Sequence, residues 1–157
     1  MKILVVSDTH RKYSKLKEVI DRNRDADLII HLGDGLSEAW RLSDENPELN
    51  FVYVRGNCDA CDYIDEGVIE VAEHKLFFTH GHNYYVRSGT DRLFERAKLL
   101  ECTIALYGHT HISDVKCIDG VHIMNPGSVA APRGGDGASY GIITINDGKV
   151  EMEICDA

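Results

Sequence analysis

Along the first third of the chain, short apolar runs alternate with stretches whose apolar positions recur every three or four residues. The run KILVVSD predicts a strand ending in polar residues, and YSKLKEVIDRNRD places Leu16, Val19 and Ile20 at helical spacing. DLIIHLGD repeats the strand, SEAWRLSDEN predicts a short helix that stops near Pro47, and FVYVRGN predicts a third strand. Three strands that each run into a polar loop, with helices between them, predict parallel βαβ units with right-handed crossovers.

The pattern changes in the second half. GVIEV and KLFFTHGH read as a hairpin, TDRLFERAKLLE as an amphipathic helix and CTIALYGH as another strand. The tail is rich in strands: DVKCI, VHIMNPGS, SYGIITI and KVEMEI, joined by Asp-Gly steps that suit type I′ turns. Two sheets packed face to face with helices outside would bury all these strands, and a single open sheet is the alternative.

Composition narrows the class. The 157 residues, 43% hydrophobic and 27% charged, suffice for one core, so one domain spanning residues 1–157 is expected. Every apolar run is far shorter than the ~20 residues a membrane span needs, and the chain opens directly on a strand, so a cytoplasmic protein without membrane contact is expected. The five cysteines are an odd number in a chain large enough to fold without staples, which suggests reduced thiols. Cys58 and Cys61 form a C-x-x-C pair, but GNCDAC lacks a redox context. The net charge of −9 gives no general field for a polyanion, which disfavours duplex nucleic acid as a partner.

Candidate chemistry collects at the strand ends. Asp8 and His10 follow the first strand, Asp34 the second and Asn57 the third; His80 and His82 follow the hairpin strand, and His109 and His111 the strand after the last helix. The one-residue separation in GHTH suits a strand end or an extended loop, where i and i+2 share a face. Each residue alone has a structural explanation: Asp8 as a helix cap, Asp34 in a turn, Asn57 in an Asx-turn, the histidines exposed or hydrogen-bonded. Together they line the carboxyl edge of the strands, where α/β proteins place ligands. Gly33, Gly56, Gly81 and Gly108 would permit sharp turns or close backbone approach there. Oxygen and imidazole donors without thiolate suit Mn2+, Fe2+, Zn2+ or Mg2+, and their number favours two ions sharing a carboxylate.

The ordered motifs DTH, GD, GN, THGH and GHTH resemble the series of the calcineurin-like metallophosphoesterase superfamily, and GNCD, NPGS and the short length resemble its small YfcE-like phosphodiesterase group. The resemblance implies a four-layer α/β/β/α sandwich of two mixed sheets. It implies that Asp8, His10 and His111 hold one divalent ion, that Asn57, His80 and His109 hold a second, and that Asp34 bridges them. The cofactors implied are two divalent ions, Mn2+ first, with Fe2+, Zn2+, Ni2+ and Mg2+ as alternatives. The expected reaction is hydrolysis of a small soluble phosphodiester by a hydroxide shared between the ions. Two carboxylates against four metal charges would leave the centre cationic despite the acidic chain.

Larger relatives carry His after the Gly-Asn pair, beside an acidic residue, as acid or phosphate ligand. Here that position is Cys58, followed by Asp59; the small group shares the replacement. An ordinary thiol is a poor proton donor at neutral pH, so His82 is the expected substitute. The catalytic set is then Asp34, Asn57, His82, Cys58 and Asp59, with Asn57, His82 and Arg133 touching substrate. His31, His74 and His122 are expected to be structural, and Trp40, Tyr84 and Tyr85 to pack or to shape a pocket. A non-catalytic metal-binding scaffold, like a retromer subunit of similar fold, is the alternative class; a phosphomonoesterase or nuclease is the alternative within it. Exposed strand edges are compatible with a homodimer or homotetramer.

Overall fold

The computed structural model describes residues 1–135 and 137–157. β1 (Lys2–Val6), α1 (Tyr13–Arg22), β2 (Leu28–His31), α2 (Leu36–Glu45) and β3 (Phe51–Tyr53) make up the first half of the fold. Then follow β4 (Glu66–Val71), β5 (His74–Thr79), α3 (Asp91–Leu99), β6 (Ile104–Leu106), β7 (Ser113–Ile118), β8 (Val121–Pro126), β9 (Ser139–Asn146) and β10 (Lys149–Asp156). Among the described residues no helix is long and apolar enough to cross a membrane.

The strands form two five-stranded mixed sheets, ordered β10-β9-β1-β2-β3 and β4-β5-β6-β8-β7. β1, β2 and β3 run parallel, and the tail hairpin β9–β10 joins antiparallel along β1. In the second sheet β5, β6 and β8 run parallel, with β4 and β7 antiparallel at its edges. The single open sheet is thus ruled out: β9 returns to the first strand and leaves β4–β8 to close a sheet of their own.

Three apolar layers explain the continuous runs. Ile3, Val5, Ile30 and Leu32 meet Leu76, Phe78, Ile104, Leu106 and Met124 between the sheets. The opposite face of the first sheet, with Leu4, Val6 and Ile29, packs on Leu16, Val19 and Ile20 of α1 and on Ala39 and Leu42 of α2. Phe77, Ala105 and Ile123 pack on Leu93 and Ala97 of α3. A strand buried on both faces loses the apolar/polar alternation, as β1 does. Each fully buried Ile or Leu contributes about 1.5–3 kcal/mol, so the sandwich holds its strand ends rigidly. Asp119-Gly120 and Asp147-Gly148 both take positive φ, as type I′ turns require.

Candidate metal centre

The parallel strands of both sheets deliver their carboxyl ends to one rim, and the backbone there is unusual. Asp8, His10, Asp34, His109 and His111 all adopt left-handed φ between 44° and 69°. Non-glycine residues hold that conformation at a cost of order 1 kcal/mol or more, and it concentrates at functional sites. GHTH is therefore no extended strand end: β6 stops at Leu106, and both histidines turn inward from left-handed positions.

The structure brings Asp8, His10, Asp34, His80, His109 and His111 together. The donor atoms of Asp8, His10 and His111 lie within 4.8 Å of one another, as do those of Asp8, Asp34 and His80. His111 Nε2 stands 3.1 Å from Asp8 Oδ1 and 3.1 Å from His10 Nε2. Asp34 Oδ2 lies 3.5 Å from His80 Nε2 and 3.8 Å from His10 Nε2, and His109 Nδ1 lies 3.3 Å from His80 Nε2. His109 and His111 thus face different neighbours across one loop. Asp8 does not cap α1, which begins beyond Lys12 without a side-chain cap.

Supporting hydrogen bonds fix where the lone pairs point. His80 Nδ1 donates to the Leu32 carbonyl at 2.7 Å and His111 Nδ1 to the Ala131 carbonyl at 2.6 Å, so each neutral ring aims an unprotonated Nε2 inward. Asp8 Oδ2 accepts from Ser7 Oγ at 2.6 Å and from the His109 amide at 3.0 Å. Asp8 Oδ1 is buried without a hydrogen-bond donor among the described residues, facing those imidazole lone pairs. An orphaned carboxylate oxygen ringed by imidazole nitrogens is costly unless a cation or a proton joins it, and the donor set fits divalent cations. Without a cation the cluster satisfies itself electrostatically. Burial raises the Asp8 pKa, but His111, which donates to Asp8 once its Nε2 is also protonated, and the charge of a protonated His80 outweigh it and leave it lowered. Burial likewise opposes the imidazolium of His80, which Asp34 and Asp8 more than offset, for a net rise.

The remaining expected residues divide. Asn57 is exposed at the rim, its Nδ2 3.3 Å from Cys58 Sγ. Cys58 joins His10 and Asp34, and its amide donates to Asp34 Oδ1 at 2.7 Å. Burial, then Asp34, pushes the thiol up to about 11, which makes Cys58 a poor acid and a poor thiolate donor at neutral pH. Asp59 does not face the cluster with a free oxygen. Its Oδ1 accepts from the Gly35 and Leu36 amides, both at 3.0 Å, and its Oδ2 from the Asp34 and Gly56 amides, both at 2.8 Å. It caps α2 from a distant loop and holds the backbone that carries Asp34. His82 begins a single turn of 3-10 helix, its ring 5.5 Å from His80 and 6.2 Å from His109, with Nδ1 buried and unpartnered. Arg133 is exposed, and its amide donates to the His111 carbonyl at 3.0 Å. His31 is a buried, hydrogen-bonded core residue, as expected: Nδ1 accepts from the Gly33 amide and Nε2 meets Thr9 Oγ1 at 2.8 Å. His74 bonds to Thr103 and the Gly148 carbonyl.

Three supporting residues were not identified from the sequence. Ser7 holds Asp8, and Ser128 Oγ donates to the Asp8 carbonyl at 2.8 Å. Buried Asn125 donates to the Gly108 carbonyl and to Thr110 Oγ1, fixing the loop between the two histidines. The NPGS motif contains both Asn125 and Ser128, so it was the available signal.

The glycines serve the carboxylates. A Cβ on Gly108 would stand 2.1 Å from Ser7 Oγ and 2.9 Å from Asp8 Oδ2; one on Gly56 would stand 2.1 Å from Asp34 Oδ1. Gly108→Ala should therefore displace Asp8 and weaken metal affinity by about 10–100-fold, the range for lost support of a ligand. Calorimetric titration with Mn2+ checks this, and parental affinity would show that the backbone yields freely.

Residues 1–148 match the model of the calcineurin-like phosphoesterase superfamily domain. The chain is 31% identical to the probable metallophosphoesterase YsnB of Bacillus subtilis, over 99% of this chain and 91% of that protein. It is 27% identical to the phosphodiesterase YfcE of Escherichia coli, over 98% and 97%. Among solved structures it superposes on a conserved protein of Streptococcus pneumoniae described as a predicted phosphoesterase, with a TM-score of 0.87, 29% identity and coverage of 99% and 88%. It shares the fold of wild-type Vps29 of Entamoeba histolytica complexed with Zn2+, at a TM-score of 0.75, 24% identity and coverage of 99% of both chains.

Proposed function

The chain belongs to the calcineurin-like phosphoesterase superfamily and is on that ground a metal-binding phosphoesterase, and from this premise we propose that it hydrolyses a small phosphodiester with two divalent cations. Asp8, His10 and His111 would hold one cation, Asn57, His80 and His109 the other, and Asp34 both. Mn2+ is the first choice for imidazole and carboxylate donors, with Fe2+, Zn2+, Ni2+ and Mg2+ behind it. The observation that carries the reading is the buried, donorless Oδ1 of Asp8 between imidazole nitrogens.

When bound, such cations supply Lewis acidity toward water and toward the phosphoryl oxygens. The chain's own residues orient the ligands and manage protons. Ser7, Ser128 and the His109 amide hold Asp8, while the Leu32 and Ala131 carbonyls hold the rings of His80 and His111. Asp59 holds the Asp34 backbone, a positioning role in place of the direct catalytic one expected from the motif.

His82 stands beside this cluster, its Nδ1 without a partner among the described residues, and can exchange a proton with a leaving oxygen. Burial and then the His80 charge lower its pKa, so the imidazolium needs the negative charge of a bound ester to form. That favours leaving groups that depart with little protonation. Aryl phosphodiesters should therefore be cleaved faster than alkyl phosphomonoesters in the presence of Mn2+, and activity should vanish with a chelator. Faster monoester turnover would overturn the diester assignment. Full metal occupancy with no ester hydrolysed would favour the scaffold of the same fold.

Cys58→Ser should keep activity within about threefold, a change below 1.4 kcal/mol in transition-state stabilisation, because a thiol pushed up to about 11 is a poor proton donor at neutral pH. A loss of a hundredfold in steady-state kinetics would restore Cys58 as the acid. The five thiols remain unpaired, which supports a reducing compartment, and we assign the protein to the cytoplasm.

A further inference from the structure

Beside the cluster, on the side of His109 and His111, lies a cavity of about 500 Å3 lined by Arg87, Thr110, Ile112 and Arg133 among others. That volume is ample for a phosphorylated sugar. The two guanidinium groups come from separate loops. Arg87 sits in the single 3-10 turn Val86–Ser88, anchored by buried Val86, against which Gly81 closes. Arg133 is tied by its amide to the carbonyl of His111.

Four other arginines are held by carboxylates, Arg24 on Glu48, Arg41 on Glu45, Arg55 on Asp65 and Arg96 on Glu66, while Arg22 bonds to backbone carbonyls and Arg92 lies over the Tyr85 ring. Among the described residues, Arg87 and Arg133 have no carboxylate at ion-pair distance. Asp114, on the same wall, is already shared by Tyr107 OH at 2.9 Å and Lys116 Nζ at 2.7 Å. In a chain of net charge −9, two guanidiniums on one cavity with no ion pair among the described residues are a local reversal of sign. Such a fork suits the oxygens of phosphate better than a neutral alcohol.

We infer that Arg87 and Arg133 form a subsite for a second anionic group, so that the substrate is a phosphodiester carrying a further phosphate on its non-leaving arm. This rests on the proposed phosphoesterase reading for the chemistry of the reacting centre, but the subsite is a statement about binding. The scissile phosphate would lie at the Asp and His cluster, and the second phosphate in the cavity beyond His109 and His111. Thr110 Oγ1, on the cavity wall, is held by Asn125 and donates within its own loop, so it fixes the wall while the arginines supply the charge.

The test uses two esters with one leaving group: the 4-nitrophenyl ester of thymidine 5′-phosphate, and the same ester with an added 3′-phosphate. In Mn2+-loaded protein the added phosphate should lower KM by about tenfold, within the range of charge-assisted pairing at an exposed site. In Arg87→Ala/Arg133→Ala the ratio of the two KM values should fall to about one, while Arg87→Lys keeps part of it. The preference should also shrink with added salt, since both groups are exposed. No preference in the parent, or a preference that survives the double substitution, overturns the inference.

Binding separates this outcome from failure of the esterase reading. Thymidine 3′,5′-bisphosphate should bind the Mn2+-loaded parent about tenfold more tightly than thymidine 5′-phosphate, and equally in the double variant. That difference without hydrolysis of either ester keeps the subsite and removes the esterase. Hydrolysis of both esters without that difference keeps the esterase and removes the subsite.

Discussion

Asp34→Asn should lower kcat/KM on an aryl phosphodiester by at least ~10^2-fold, the scale of losing one charged contributor to a preorganised site, while leaving the metal-free fold intact. Asp34 Oδ1 accepts from the Cys58 amide at 2.7 Å, and Oδ2 faces His80 Nε2 and His10 Nε2. Asparagine keeps the acceptor and, at a pH above the raised His80 value, where that ring is neutral, turns an amide donor toward those ring nitrogens, so the apo protein loses little there. What it loses is the negative charge that cations need. The expected signature is an unchanged melting temperature without metal and a lost metal-dependent increase. In the parent that increase corresponds to about 2.7 kcal/mol at a metal concentration one hundred times Kd. Thermal unfolding with and without Mn2+, alongside kinetics, reads both arms. A variant that binds metal and turns over like the parent would remove Asp34 from the centre.

Asp59→Ala should produce the opposite pairing, a large loss of stability with a loss of activity that follows from it. Four amides converge on that carboxylate, two at the start of α2 and one at Asp34 itself. Hydrogen bonds to a charged group are worth about 1.5–3 kcal/mol each, and water can replace some of these at a half-buried site, so a loss of about 3 kcal/mol is expected. For a chain of this size that is a fall of roughly 6–12 °C in melting temperature. Metal affinity should drop by about 10–100-fold because the Asp34 backbone is released. Asp59→Asn, which retains one acceptor, should recover part of both. If Asp59→Ala melts like the parent yet is inactive, its carboxylate acts on substrate instead.

The contrast between these two aspartates shows how far the sequence could be read. Asp8, His10, Asp34, His80, His109 and His111 were legible as a group because each follows an apolar run, and a parallel sheet sends such positions to one edge. The strands were legible because burial on both faces leaves an uninterrupted Val, Ile and Leu signal, as in KILVV and DLIIHL. Asp59 carries no such mark. Its four donors lie 3 to 25 residues away and come together only when the loop after β3 folds over the start of α2. Ser128 reaches Asp8 across 120 residues, and Asn125 reaches Gly108 across 17.

The choice between one sheet and two shows the same limit, since the strand pattern allowed both and pairing of β9 with β1 decided it. The left-handed backbone at His109 and His111 also escaped the pattern, which described their spacing but not the turn that aims them. By itself the sequence determined the elements, the donor types and their position at strand ends, because those follow from local periodicity and side-chain chemistry. Only the tertiary structure decided which donors face one another, which carboxylate oxygen is left without a partner, and which arginines share a cavity. Those are distances between residues far apart in the chain, set by how two sheets and their loops pack rather than by any stretch of residues alone.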